Sequence, residues 1–288
     1  TRALRDRMVR IRHDFPTVLD TCGTGGDGYG TFNFSTVGAI ICAAAGVYVA
    51  KHRNRGVSSK CGSADLLEAM NVKIEISPQQ ALNCLKATGF TFLFAPLYHP
   101  AMKSVAGIRK ALGIRTIFNF IGPLANPASA NVQLVGVPEP RFVETHATAL
   151  ATLGTSRAWV VFSKEGLDEL FPGKNLIGKV NNGKVEYTEW DTAEIGIDRF
   201  SAQKILGGDP AQNADIVCDV LKGKKSEYLT CTLLNAAAGL FVADRVSSIA
   251  DGYELAEETV VSGRARKKFD EIIEFTNDTD KNLRNNST

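Results

Sequence analysis

The sequence of 288 residues is 44% hydrophobic and 22% charged, with a formal net charge of +2. That is enough chain for one large domain, or one large and one small, around a sizeable core, and too little net charge for a broad nucleic-acid surface. Cys22, Cys42, Cys61, Cys84, Cys218 and Cys231 include no C-x-x-C pair, which disfavours zinc and thioredoxin-like chemistry and suits a reducing cytosol. The longest apolar stretch, Val37 to Ala50, is too short to span a membrane, and the arginine-rich start has no apolar core behind it, so it is not a secretory signal.

In chain order, Val18-Leu-Asp20 predicts a short strand ending in a glycine loop from Cys22 to Gly30. Ser35 or Thr36 is then placed to cap a helix through Val37 to Ala45, ended by Gly46. Val47 to Ala50 reads as a buried strand, followed by a polar loop from Lys51 to Gly62. A helix opens at Ser63-Ala-Asp65 and runs through Leu66 to Met70; Ile74-Glu-Ile76 is a short strand, and Ser77-Pro78 starts another helix. This alternation argues for an α/β fold with parallel strands. The stretch from Pro96 to Pro127 breaks it: Pro100 to Leu112 is amphipathic, and a helical insert or subdomain fits there. Strands return at Val132 to Val137 and Ala158 to Phe162, around a helix from Phe142 to Leu153. Gly173 to Tyr187 reads as a hairpin turning at Asn182-Gly183, Thr230 to Val242 and Tyr253 to Val261 as late helices, and the polar tail from Asn277 as frayed.

Four constellations carry chemistry. The first is Gly23-Thr-Gly-Gly-Asp27-Gly-Tyr-Gly30-Thr31-Phe-Asn33-Phe-Ser35-Thr36. Its glycines permit close backbone approach, and the amides of the following helix start favour phosphate oxygens. Alone it is equally well a capped turn without a ligand. It also satisfies G-x-G-x-x-G through Gly23, Gly25 and Gly28, but the helix starts late, and the second strand ends in Lys51-His52 where a dinucleotide fold wants an acid. The second constellation, Lys51-His52-Arg53-Asn54-Arg55-Gly-Val-Ser58-Ser59-Lys60-Cys-Gly-Ser63-Ala-Asp65, crowds cations and small hydroxyl residues just past a buried strand, which suits an anion; as a bare charge run it would be a solvated loop. The third is Phe118-Asn-Phe-Ile-Gly-Pro-Leu-Ala-Asn-Pro127, preceded by Arg109, which can grip a carboxylate bidentately or simply face solvent. The fourth, Gly166-Leu-Asp168-Glu169, can reach Mg²⁺, though Asp-Glu pairs are common on surfaces.

In order and spacing these four resemble the anthranilate phosphoribosyltransferases along essentially the whole chain, and the run Leu234-Asn235-Ala-Ala-Ala is similar too, with no chemistry attached to it. The resemblance implies transfer of the phosphoribosyl group of phosphoribosyl pyrophosphate (PRPP) to the amine of anthranilate, in tryptophan biosynthesis in the cytoplasm. It implies that Gly23, Gly26, Asp27, Thr31, Asn33, Ser35 and Thr36 hold PRPP, and that Lys51, Ser59 and Ser63 contact its phosphates, with His52, Arg55 and Ser58 beside them. Asn54 and Arg109 would bind anthranilate, with Lys51 and Arg109 positioning and stabilising charge, and His52 the candidate late proton acceptor. Ser35, Asp168 and Glu169 would hold Mg²⁺, as two ions with PRPP bound. The implied fold is nucleoside phosphorylase/phosphoribosyltransferase-like: a large α/β domain with a mainly parallel central sheet flanked by helices, plus a small helical domain. Residues 13–95 and 129–288 would form the former; 1–12 and 96–128 would be what this sequence holds of the latter, its first helices lying outside it. The family's homodimers are built through that small domain, so dimerisation is in question here; no nucleic acid or membrane partner is implied. One position departs from the pattern: Arg53 stands where the family has glycine, which would strain the backbone or crowd anthranilate. The rival readings are a pyrimidine nucleoside phosphorylase of the same fold and a non-catalytic nucleic-acid-binding relative.

Overall fold

The computed structural model describes residues 1–56, 59–102 and 116–278. Among them is one seven-stranded sheet with strand order β3-β2-β1-β4-β5-β6-β7. The strands are β1 (Leu19–Gly23), β2 (Val49–Arg53), β3 (Phe90–Phe94), β4 (Val132–Gly136), β5 (Arg157–Ser163), β6 (Lys174–Asn181) and β7 (Lys184–Asp191). Those from β3 to β5 in the sheet pair in parallel, and β6 and β7 extend it antiparallel. Parallel strands covered on both faces read as unbroken apolar runs, as in the fully buried Phe-Thr-Phe-Leu-Phe of β3. The α/β expectation is therefore the architecture observed.

The α-helices among the described residues are α1 (Arg2–Arg7), α2 (Phe34–Ala44), α3 (Ser63–Ala69), α4 (Pro78–Thr88), α5 (Ala95–Tyr98), α6 (Arg141–Thr152), α7 (Pro210–Leu221), α8 (Glu227–Val242), α9 (Ile249–Val261) and α10 (Arg264–Asn277). Helix α2 buries every residue from Phe34 to Ala43, because it lies between the sheet and α8. Small residues allow that approach: a β-carbon on Gly38 would lie 3.4 Å from the Ala236 amide nitrogen, and the Cys42 thiol donates to the Ala236 carbonyl at 3.4 Å. The Ala-Ala-Ala run after Asn235 is thus a helix–helix contact surface.

Several expectations shift. Strand β2 continues through Lys51, His52 and Arg53 instead of ending at Ala50. Arg53 consequently has extended backbone and is absent from the left-handed region, so the expected strain does not arise. Ile74 to Ile76 is not a ladder strand; both isoleucines are buried, but the segment is a connection into α4. The residue flanking α2 is Asn33, with Ser35 and Thr36 inside its first turn. Strand β3, α7 and α10 are additions to the sequence reading. The hairpin holds, with Asn182 and Gly183 both at positive φ, 46° and 82°. Of the amphipathic stretch from Pro100 to Leu112, only Pro100–Met102 lies within the described residues, as a 3₁₀ turn; Arg109, Ser58 and the tail from 279 lie outside them.

The chain passes from β1 to β2 to β3 on one side, then returns to place β4 on the other side of β1. The sheet therefore has its switch point between β1 and β4, and in open α/β sheets ligands bind beyond the strand C-termini at such a point. The N-terminal segment packs on the connection after β3. Arg5 Nε donates to the Leu124 carbonyl at 2.7 Å, Val9 N to Tyr98 O at 2.9 Å, and Ile11 N to Pro127 O at 3.0 Å. Among the described residues no helix is long and apolar enough to cross a membrane.

Candidate active site

Three loops leave the C-terminal edge of the parallel strands: the glycine loop after β1, the basic loop after β2 and the acidic loop after β5. The glycine loop turns with Gly25, Gly26, Gly28 and Gly30 all at positive φ, a path closed to most side chains. Its far end is pinned by a bridge between Thr31 and Leu206 and by Gly207 N donating to Gly30 O at 2.8 Å. Asn33 ties it to the basic loop, donating to Cys61 O at 3.1 Å and accepting from Asn213 Nδ2 at 3.0 Å.

The acidic loop rests on a seat cut into the sheet. Gly23 and Gly136 are register partners at the ends of β1 and β4. A β-carbon on Gly23 would lie 2.3 Å from Asp168 Oδ2, and one on Gly136 would lie 1.5 Å from the Asp168 carbonyl oxygen. Only glycine leaves room for the loop there. Gly25 N then donates to Asp168 Oδ2 at 2.6 Å. Behind the loop, Asn235 on α8 grips Leu170 from both sides, accepting from its N–H at 3.1 Å and donating to its carbonyl at 2.9 Å. The Ser35 backbone, at the first turn of α2, lies close enough to the Glu169 carboxylate to lower its pKa. Burial raises the pKa of Asp168, and the Asp27 carboxylate raises it further. Glu169 is pushed up by burial and then by Asp168, against the pull of Lys51 and Arg53.

The basic loop is less basic toward the cleft than its sequence suggests. Lys51 is fully buried, and its Nζ donates to Thr21 O at 2.6 Å and Ser35 Oγ at 3.2 Å. Burial and then the charge of Arg53 lower its pKa. Arg55 bonds the Glu68 carboxylate, with Nη2–Oε1 at 3.0 Å, and approaches Asp65 at 3.4 Å. Asp65 organises the loop, with Oδ2 accepting from Gly56 N and Gly62 N, each at 2.8 Å. Thr36 Oγ1 donates to Ser63 Oγ at 2.9 Å, joining the starts of α2 and α3. Asn54 is exposed, its Oδ1 accepting from Arg55 N at 2.8 Å, and Ser59 Oγ donates to Cys61 O at 3.4 Å.

His52 is buried with its Nε2 3.1 Å from His99 Nε2. Burial first, and His99 second, lower its pKa to about 3, which makes it a poor proton acceptor. Beneath it, Asp20 is fully buried, accepting from Asn126 Nδ2 at 2.8 Å and His52 N at 3.3 Å. Asn126 also donates to Ala50 O and accepts from Ala128 N, each at 2.8 Å, so the Asn-Pro motif clamps the connection to β1 and β2. Asp20, His99, Gly136 and Asn213 carry no signal of a site in the sequence. Asn126 and Asn235 lie in runs that the sequence singles out, at Phe118 to Pro127 and from Leu234 onward, but their hydrogen-bonding roles appear only with the fold.

The acidic side can take a divalent cation. Asp27 Oδ2 is buried without a hydrogen-bond partner, and Asp168 and Glu169 are carboxyls held above their usual range mainly by loss of water. Among the described residues no three His, Cys, Asp or Glu side chains converge on one point. Mg²⁺ fits such a donor set, since it keeps several waters and takes one or two carboxylates together with ligand phosphates.

Residues 16–266 match the model of the glycosyl transferase family, a/b domain. The chain is 45% identical to the anthranilate phosphoribosyltransferase of Petrotoga mobilis over 277 residues, 96% of this chain and 80% of that protein. It is also similar to the crystal structure of anthranilate phosphoribosyltransferase from Thermus thermophilus, with a TM-score of 0.91 and 40% identity, covering 96% of this chain and 83% of that one. The Saccharomyces cerevisiae enzyme in complex with PRPP and Mg matches with a TM-score of 0.88 and 28% identity, covering 96% and 78%.

Proposed function

This chain belongs to the anthranilate phosphoribosyltransferase family, and from that premise we propose that its cleft joins the phosphoribosyl group of PRPP to the amine of anthranilate. The products are N-(5-phosphoribosyl)anthranilate and pyrophosphate, in tryptophan biosynthesis. The amine nitrogen bonds to C1 of the ribose, the bond from C1 to the pyrophosphate oxygen breaks, and the amine proton goes to solvent. The observation that carries this reading is the acidic loop seated on Gly23 and Gly136, opposite the glycine loop and the first turn of α2. A phosphate-rich ligand chelating a divalent cation satisfies all three surfaces at once. A nucleoside phosphorylase would have no use for Asp168 and Glu169 as metal-holding groups.

The backbone of Gly23, Gly26 and Asp27, with Thr31, Asn33, Ser35 and Thr36, would bind the pyrophosphate. Ser58, Ser59 and Ser63 would serve the 5′-phosphate side, and Asn54 and Arg109 the anthranilate, Arg109 gripping its carboxylate. Lys51 would act from beneath, as a buried charge supporting Ser35 at the α2 start. Asp168, Glu169 and Ser35 would hold magnesium, as two ions; bound magnesium would stabilise the negative charge of the departing pyrophosphate. Since anthranilate is nucleophilic as the free amine, no strong base is demanded, in keeping with the low proton affinity of His52. Arg55 organises the basic loop through Glu68 more than it meets ligand. Residues 1–12 and 96–128 would form a small domain bounding the anthranilate side, and the unpaired cysteines suit a cytoplasmic setting. Mixing the protein with PRPP, Mg²⁺ and anthranilate tests the proposal: anthranilate fluorescence should fall with time, and a steady signal in all conditions overturns it.

A further inference from the structure

Tyr29 lies in the glycine loop but touches the acidic one. Gly166, at φ +94°, opens the acidic loop, and a β-carbon there would stand 3.2 Å from Tyr29 Cε2, 3.5 Å from its hydroxyl and 3.8 Å from Cζ. The ring therefore lies directly on the glycine. Tyr29 is nevertheless 38% exposed, so this contact leaves much of the residue in solvent. Its backbone N–H donates to Asp27 Oδ1 at 3.2 Å, which fixes the same turn to the Asp27 carboxylate. Elsewhere the loop has few neighbours: β-carbons on Gly25, Gly28 or Gly30 would meet nothing within 4 Å. A segment with glycines at four positive-φ positions has much conformational entropy to lose on ordering. Two ties oppose that loss between its pinned ends, the Gly25 amide on Asp168 and the Tyr29 ring on Gly166.

We propose that Tyr29 is a positioning residue for the pyrophosphate end of the cleft: its ring, seated on Gly166, holds the phosphate-binding glycine loop at a fixed spacing from the carboxylates of the acidic loop. The proposal rests on the reading of the cleft as a PRPP site and names a residue that acts through that spacing, without touching the reacting atoms. The ring does the work, so Phe should replace Tyr29 and Ala should not.

Hydrogen exchange of amides 26–30 in the ligand-free protein tests the tie itself. Tyr29→Ala should exchange about tenfold faster there and Tyr29→Phe like the parent, with Tm unchanged in both. Calorimetry with magnesium pyrophosphate and steady-state kinetics test its use. In Tyr29→Ala the Kd for magnesium pyrophosphate and the KM for PRPP should rise about tenfold, while the KM for anthranilate stays within about twofold, and Tyr29→Phe should restore both. Parent-like exchange in Tyr29→Ala overturns the proposal, as does a Phe variant that behaves like Ala, or equal losses for the two substrates. A parent protein that neither turns over PRPP nor binds magnesium pyrophosphate sinks the functional reading instead, and the exchange arm still decides the role of Tyr29.

Discussion

The acidic loop and the basic loop leave the same edge of the sheet and are held by opposite means. The acidic loop is fixed by neutral groups: two glycines beneath it, the Gly25 amide in front and the Asn235 side chain behind. Among the described residues neither Asp168 nor Glu169 forms an ion pair. The basic loop is fixed by its own charges, with Arg55 on Glu68 and Asp65 gathering the Gly56 and Gly62 amides. A ligand meeting both must bring positive charge to the acidic side and meets a basic side whose Arg55 is already engaged by Glu68. A metal-chelated polyphosphate does so, and the comparison explains why the acids, more than the cations, are expected to dominate activity.

The hardest test of that ranking is the double substitution Asp168→Ala with Glu169→Ala. It should lower kcat/KM by about a thousandfold or more and abolish the magnesium dependence, as measured by initial rates across a magnesium series. Activity and metal dependence that both survive would break the comparison outright. Next in size is Gly136→Ala, which sets a β-carbon 1.5 Å from the Asp168 carbonyl oxygen. The loop or the strand must move, at a stability cost of about 3 kcal/mol, which a shift of the urea midpoint would report. An unshifted midpoint would mean the acidic loop is not pressed into the sheet.

A third test concerns the floor of the basic loop. Burial raises Asp20 from 3.8 to about 6, so its contribution to stability grows as pH falls from about 6 to about 4. Burial and His99 lower His52 from 6.5 to about 3, so its contribution is full above pH 6.5 and is lost as pH falls toward 3. Between about pH 6 and 4 the two slopes oppose each other. Relative to the parent, Asp20→Asn should therefore lose stability on acidification through that window, by up to about 1.4 kcal/mol per pH unit. Urea unfolding of both proteins at several pH values measures it, and parallel profiles refute it. The smallest effect belongs to Arg53→Gly. Arg53 acts electrostatically on Asp168 and Glu169 without pairing with either. Removing its charge should reduce the magnesium needed for half-maximal rate by about two- to threefold. A rise would show that the guanidinium serves substrate directly.

Much of the α/β body was legible because apolar runs, glycine turns and the Ser77-Pro78 start each act locally. Strand β3 was not, since its apolar residues follow α4 with only Gly89 between, and the eye runs them together with the Pro96 segment. Ile74 and Ile76 misled in the other direction: alternation marks burial, but a strand also needs a neighbour with free hydrogen bonds. In the site, the loops could be read as motifs, whereas their state of charge could not. Lys51 looked like a loop cation because nothing local shows that β2 runs on to Arg53 and carries the amine under Ser35. Arg55 looked free because its partner, Glu68, lies on the next helix. Asn126, Asn213 and Asn235 work by reaching segments distant in sequence, and no spacing rule announces them.

The acidic loop cannot travel alone. Its seat is shared between the ends of β1 and β4, strands that meet only because the chain doubles back across the switch point. Grafted onto another parallel sheet, the same stretch would arrive with its carboxylates and find side chains where it must lie. Two strand residues would first have to become glycine, each weakening its strand before the loop is present to fill the space.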